Sequence, residues 1–356
     1  SNVSQLGKNL VQNGAMTVAQ KGSLALGSGG TTTQIAVDRW KVAEGGGAAR
    51  FTVTQDTDSP TGFANSIKID CTTADTSAAG ADYAALQQGI EAQNLQHLGY
   101  AAAGSLGTTL SFRVKSPKTG IHCVGLTQLD EERYYIREYT VASANTWETH
   151  SVYFPGDDAG TITNDTGEGL RVFFALYGAE ANHGSGVKDA WTVWPSGVIH
   201  YMTANQVNVF DDAANNFFLS GVQLEVGAIA TDFEHEDIGT TLAKCLRYFR
   251  RVITEDDFSI LLRGGSAVST TACGFGLDHT GMRSEPTATF GAINVFDLIG
   301  GGLGVTTTNL TQTAARSDKN QSEFIATVSS GLTAGFALNL HSRNTTTARI
   351  DLSCEL

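Results

Sequence analysis

The stretch from Asn216 to Glu236 constrains the chain most. From Phe218 one face carries Phe218, Ser220, Val222, Leu224 and Val226, and the other carries Leu219, Gly221, Gln223 and Glu225. Alternation with period two marks a strand with one face buried and one in water. Gly227 ends the run. From about Thr240, Leu242, Cys245, Leu246 and Phe249 recur at helical spacing, followed by Arg250 and Arg251, cations that suit the end of a helix dipole. The expectation is a closing strand of one β-domain that leads into a helix, with a second region beyond. Leu242, Leu246 and Phe249 are the candidate contacts between subunits or between domains.

Short strands precede this point at regular spacing. Arg50–Gln55, Ser66–Cys71 and Leu110–Lys115 alternate, and Ile121–Leu126, Tyr134–Val141 and Trp147–Phe154 read as further strands. Arg171–Tyr177 is apolar on both faces, as in a central strand covered twice. Gln87–Leu98 reads as the one place for a helical turn. After the helix, Phe258–Gly264, Thr270–Leu277, Thr287–Leu298, Ser322–Val328, Phe336–Ser342 and Arg349–Cys354 read as further strands. A chain of 356 residues, with 40 glycines and only 17% charged side chains, suits many short strands joined by turns rather than a helical bundle. The fold class is therefore all-β. A jelly-roll β-sandwich spans 9–236, a short helix covers 237–252, and a second smaller β-sandwich spans 253–356. Residues 1–8 form a polar arm.

A net charge of −13 argues against a nucleic-acid partner, which needs a basic footprint, and against anionic membrane surfaces. The longest apolar run, Val172–Ala179, is far short of a membrane span, and no signal peptide is visible. Five scattered cysteines with no Cys-x-x-Cys pair fit buried, reduced thiols made in a cytoplasm. Gly27–Gly30 lacks the Lys-Ser/Thr of a phosphate-binding loop and reads as a turn.

Signatures of a nucleophile or a zinc hydrolase are missing, so no catalytic residue is assigned. Asp130, Glu131, Glu132, Asp157 and Asp158 include the acids a glycosidase pair would need, but acidic solvated loops are the plainer reading. No cofactor is expected; a structural calcium at Asp157 and Asp158 is the one metal those loops suggest. The acids from Asp232 to Asp237, with His235, suit the start of a helix better than a metal site. Aromatic side chains give the sharper signal. Trp191, Trp194 and Tyr201 lie among Gly184, Gly186, Pro195 and Gly197, and Tyr134 and Trp147 lie on strands beside the acidic loops. Rings with nearby amides and carboxylates are what a glycan site uses, since sugars stack their C–H faces on them. The competing reading places the same rings in the core or at a subunit interface.

The segment Val222–His235, followed by Leu242–Arg250, resembles one shared by many virion proteins of tailed bacteriophages, notably tail-fibre and receptor-binding proteins. Asn9–Met16, Ala19–Gly22, Val37–Trp40, Gln88–Glu91, Leu110–Lys115, Met282–Thr287 and Ser353–Leu356 resemble the same family. The resemblance implies a fold like carbohydrate-binding jelly rolls and carries over no catalytic residue. It also implies a virion protein synthesised in the bacterial cytoplasm and assembled, as fibre proteins usually are, as a homotrimer with other virion proteins. The task it favours is recognition of host surface polysaccharide at a tail fibre or tail tip. Capsid decoration or a tail connector without a ligand is the alternative, and a polysaccharide depolymerase comes third.

Overall fold

The computed structural model describes residues 8–26, 32–183, 189–194, 200–253, 256, 259–291, 296–300, 303–343 and 347–356. The expected arm before Lys8, the turn at Gly27–Gly30, and Gly184, Gly186, Pro195 and Gly197 lie outside these residues. The chain divides into two compact units, the first ending at Leu242 and the second running from Ala243 to Glu355.

The first unit is a sandwich of two antiparallel sheets. Its strands are β1 (Leu24–Leu26), β2 (Thr32–Gln34), β3 (Lys41–Gly45), β4 (Arg50–Asp56), β5 (Ser66–Thr73), β6 (Tyr83–Glu91), β7 (Thr108–Lys115), β8 (Gly120–Gln128), β9 (Arg133–Val141), β10 (Glu148–Phe154), β11 (Glu168–Gly178), β12 (Thr192–Val193) and β13 (Asn216–Val226). One sheet has the order β1-β4-β5-β13-β7-β10 and the other β12-β9-β8-β11-β6-β3-β2. The last strand thus inserts between β5 and β7, in the manner of a jelly roll. Alternate residues of both sheets meet in one core, where Phe112 packs edge-on against Phe174 and Tyr139, with ring centres 5.0 and 4.9 Å apart.

Three local expectations change. β6 stays extended to Glu91 before two 3₁₀ turns, Ala92–Asn94 and Gln96–Leu98, so only the second half of the expected helical turn coils. On β13 the strict alternation breaks at a bulge between Ser220 and Gln223, where Gly221 adopts φ 60°. Phe217 and Leu219 point into the core before the bulge, and Val222 and Leu224 after it, so Phe218 and Ser220 face the opposite way from Val222. The face read as wet is also covered. Gln223 and Glu225 are buried beneath the returning segment, Gln223 accepting from Glu234 N at 2.8 Å and Glu225 from Thr231 N at 2.8 Å.

The third change is the helix. α1 spans Ile238–Leu246, and Phe249 begins a strand, β14 (Phe249–Ile253), instead of completing the apolar stripe. Tyr248, Phe249, Val252 and Ile253 favour extended backbone, and Arg251 clamps Asp351 across the ladder with two 2.7 Å contacts. Asp237 caps the helix, its carboxylate accepting from Gly239 N and Thr240 N at 2.8 and 3.2 Å. The acids before the helix therefore do local structural work.

The second unit continues with β15 (Ile260–Ala267), β16 (Ala272–Asp278), β17 (Thr287–Phe290), β18 (Phe296–Gly300), β19 (Leu303–Thr306), β20 (Asn309–Gln312), β21 (Gln321–Thr327), β22 (Ala337–Ser342) and β23 (Arg349–Ser353). A sheet ordered β14-β23-β17 and another ordered β19-β18-β22-β15-β16-β21-β20 enclose a second core, with Phe275, Phe324, Leu340 and Ile350 at its centre. All five cysteines are buried free thiols. No helix among the described residues is long and apolar enough to cross a membrane.

Candidate functional site

Four of the segments that carried the sequence resemblance, Asn9–Met16, Val37–Trp40, Gln88–Glu91 and Val222–His235, converge in the first unit. Asn9 donates to Val222 O and accepts from Leu224 N, both at 3.0 Å, while its own amide reaches Glu234 at 3.0 Å. Gln12 and Gln88 exchange two bonds of 2.7 and 2.8 Å. Asn13 donates to Asp38 O, and Arg39 reaches Gln12 and Gly89 O. These side chains satisfy one another and the backbone of a bulged strand, so they frame the fold.

The outward side of the β8–β11–β6 sheet is covered. Phe173, Ala175, Cys123, Tyr134 and Ile136 form a second cluster capped by Tyr201 and Met202. Tyr201 stacks on Tyr83 at 5.1 Å and meets Phe173 edge-on at 5.3 Å. Burial pushes the Tyr201 hydroxyl up to about 12. A Cβ at Gly125 would lie 2.3 Å from the Phe173 ring, so the glycine is what lets that ring cross β8. Tyr134 and Tyr201 are 2% and 1% exposed and pack within this cluster. Trp191 wedges between Tyr100 and Tyr135 and donates to Pro155 O at 2.8 Å, and Trp194 packs on the second cluster. Tyr134, Tyr201 and Trp194 thus belong to the outward cluster, whereas Trp191 packs at the margin of the main core.

Further along the same sheet Lys41, Glu168 and Arg171 form a buried ionic group. Burial draws the Lys41 amine down to about 8 against the pull of Glu168. Burial also opposes ionisation of Glu168, but its paired bonds to Arg171, both 2.7 Å, hold its carboxyl below the usual range.

The outward side of the β5–β13–β7–β10 sheet is different. Because Phe217 and Leu219 point inward, Phe218 points out, opposite Lys68 on β5 and Lys115 on β7. Glu148 pairs with Val114, which sets Trp147 beside Lys115. The result is a row across four strands, Lys68–Phe218–Lys115–Trp147. The Lys115 ammonium lies 4.3 Å from the centre of the Phe218 ring and 5.8 Å from that of Trp147. Asp58 ties the row down, pairing with Lys115 and accepting from the Trp147 indole N–H at 3.0 Å. The Lys115 hydrogen bond, helped by that from Trp147, outweighs partial burial and holds the Asp58 carboxyl below its ordinary value. Lys68 is paired with Asp70 at 3.2 Å. One step along, Phe63, Phe233 and His235 form a wall with ring centres about 5 Å apart, and the Arg113 guanidinium lies 4.6 Å over Phe63.

Of the five aromatic candidates, Trp147 alone belongs to none of the core clusters and is not packed as a partial member of one. Sequence reading missed Phe218, Lys115, Lys68, Asp58 and the Phe63 wall. The outward position of Lys115 was visible in its strand, but nothing local reveals which strands lie next to it.

The acidic loops after β8 and β10 lie side by side, but their acids are engaged by other partners. Asp157 is 2% exposed and is clamped by the Arg133 guanidinium, whereas Asp158 accepts from Ser105 at 2.7 Å. A cation at Asp157 would have to displace that guanidinium. Asp130 accepts from Thr163 N at 2.8 Å. Among the described residues no group of three or more His, Cys, Asp or Glu is placed to hold a metal ion.

The sequence matches no family model and no curated protein. Solved structures similar to this chain include the enzymatically active domain of bacteriophage CBA120 tailspike protein 4, at 13% identity over 62% of this chain with a TM-score of 0.32. The chain spans 22% of that tailspike structure's length. They also include a Bacteroides thetaiotaomicron VPI-5482 protein assigned to sugar binding, at 13% identity, 62% of this chain, 100% of that chain and a TM-score of 0.36. A family 11 carbohydrate-binding module from Clostridium thermocellum, complexed with a mixed-linked tetrasaccharide, is similar at 12% identity, 59% of this chain, 98% of that chain and a TM-score of 0.30.

Proposed function

We propose that this chain is a non-catalytic component of a tailed-phage particle whose first unit binds a host surface saccharide along the open row at Trp147. The observation that carries the binding reading is the pairing of Trp147 with Asp58 and Lys115 on an outward strand face. The indole offers a flat apolar surface to a sugar C–H face. Lys115 and Asp58 beside it, with Lys68 and Asp70 further along the row, offer donors and acceptors for hydroxyls. The particle assignment rests on the sequence resemblance, and assembly as a trimer belongs to the same proposal. Leu242 and Leu246 remain available for a subunit contact, being exposed and half-buried, whereas Phe249 is buried on β14.

The test is binding of labelled full-length protein to intact host cells before and after their surface polysaccharide is stripped. Trp147→Ala should weaken saturable binding about tenfold or more, the scale on which a central aromatic contact acts. Wild-type binding that survives stripping, or binding unchanged in Trp147→Ala at an unchanged melting temperature, would sink the proposal. Absence of binding to a host that the intact phage infects would instead favour a decoration or connector protein.

A further inference from the structure

The seven-stranded sheet of the second unit carries a trough on its outward side. β16 turns Cys273 and Phe275 into the core, leaving Gly274 and Gly276 outward. A Cβ at Gly276 would meet nothing within 4 Å, and one at Gly274 only an Ile325 methyl at 3.7 Å. Two successive outward positions thus lack side chains, which bares about 7 Å of backbone along the strand. The trough is lined by Ser266 and Val268 and by Asp278, Gln321, Glu323 and Arg316. Val268 is 63% exposed and offers an apolar lip.

Glu323 stands directly opposite Gly276 on the neighbouring strand. Its Oε1 accepts from Arg316 at 3.0 Å, while its Oε2 is enclosed and has no hydrogen-bond partner among the described residues. An enclosed carboxylate oxygen without a donor is an unfavourable state, which rotation of the partly exposed Glu323 carboxylate toward a hydroxyl in the trough would relieve. Of the other groups Arg316 donates and Asp278 accepts, while Gln321 and Ser266 can do either. Two carboxylates against one guanidinium disfavour an anionic ligand.

We propose that this trough is a second saccharide site, taking a neutral hexose unit whose hydroxyl donates to the Glu323 carboxylate as it turns toward the trough and whose oxygens accept from Arg316 and Gln321. It is independent of the row at Trp147, being built wholly from the second unit. Full-length protein labelled with ¹⁵N-glycine supplies its own reporters in the Gly274 and Gly276 amides. The probes are D-glucose, D-galactose, D-mannose and N-acetyl-D-glucosamine, with D-glucuronate as the anionic comparison. At least one neutral sugar should move both amides saturably, in wild type and equally in Trp147→Ala. Gly276→Leu fills open space and should abolish the response of the Gly274 amide, and Glu323→Gln should weaken it about tenfold. No response to any neutral sugar, a response that survives Gly276→Leu, or a stronger response to glucuronate overturns the proposal. A response lost in Trp147→Ala also overturns it, since the shifts would then report the first unit's site.

Discussion

The two outward faces of the first unit's sandwich are made of similar residues and treated in opposite ways. On the β8–β11–β6 side Phe173 and Tyr134 lie beneath Tyr201 and Met202. On the β5–β13–β7 side Phe218 is itself buried beneath Lys68, Lys115 and Trp147, while Trp147, the outermost ring, is half-buried with Lys115 and Asp58 beside it. Aromatic content therefore does not mark a binding face. What decides is whether the chain returns to lie over the strands. A covered ring contributes to stability, and an uncovered one is free to meet a ligand.

The sharpest way to break this comparison is to cut one ring from each face. Phe173→Ala should cost about 3–5 kcal/mol in urea unfolding, the usual range for emptying a packed aromatic site. Trp147→Ala should cost far less while weakening the first unit's saccharide binding about tenfold or more. Equal losses of stability would erase the distinction between the faces.

The ionic group on the covered side gives a pH test. Lys41 releases its proton at about 8 in the folded chain, below the 10.5 of a free lysine. Between those values the unfolded chain holds more protons, so stability should rise with pH. Measured against Lys41→Met, wild type should gain up to about 3 kcal/mol across that window and nothing below it. A flat difference would show that the covered face admits water.

Two smaller effects sharpen the open side. Gly221→Ala places a side chain at φ 60° with its Cβ 2.5 Å from the Arg113 guanidinium, and should cost about 1–2 kcal/mol by calorimetry. Asp58→Asn removes an exposed ion pair and should cost less than about 1 kcal/mol, while loosening Trp147 enough to change its fluorescence.

The sandwich was legible in the sequence because alternation reports directly on burial at each strand. Leu110, Phe112 and Val114 are all fully buried where their spacing put them. β3 and β6 escaped notice because both are buried on two sides and show no alternation, Lys41, Gln87 and Glu91 being enclosed along with their apolar neighbours. The bulge at Gly221 was hidden for the opposite reason, since the pattern through it looks regular. The helix was drawn too long because Phe249 fits a helical stripe as well as a strand start, and only Asp351, a hundred residues away, decides between them. The row at Trp147 was half legible. One residue could be chosen by type, but its neighbours are fixed by strand order, which depends on contacts between residues far apart in the chain.

Asn9 is held by Val222, Leu224 and Glu234, partners up to 225 positions later in the chain. During synthesis at roughly 5–20 residues per second, the opening segment waits about 10–45 s before those partners exist. The sandwich cannot close progressively from its first strand, and its central strand is among the last parts made. Folding should be slow for the unit's size, as pairing across such separations generally is. A circular permutant that begins at β13 and joins it directly to Asn9 should shorten that wait.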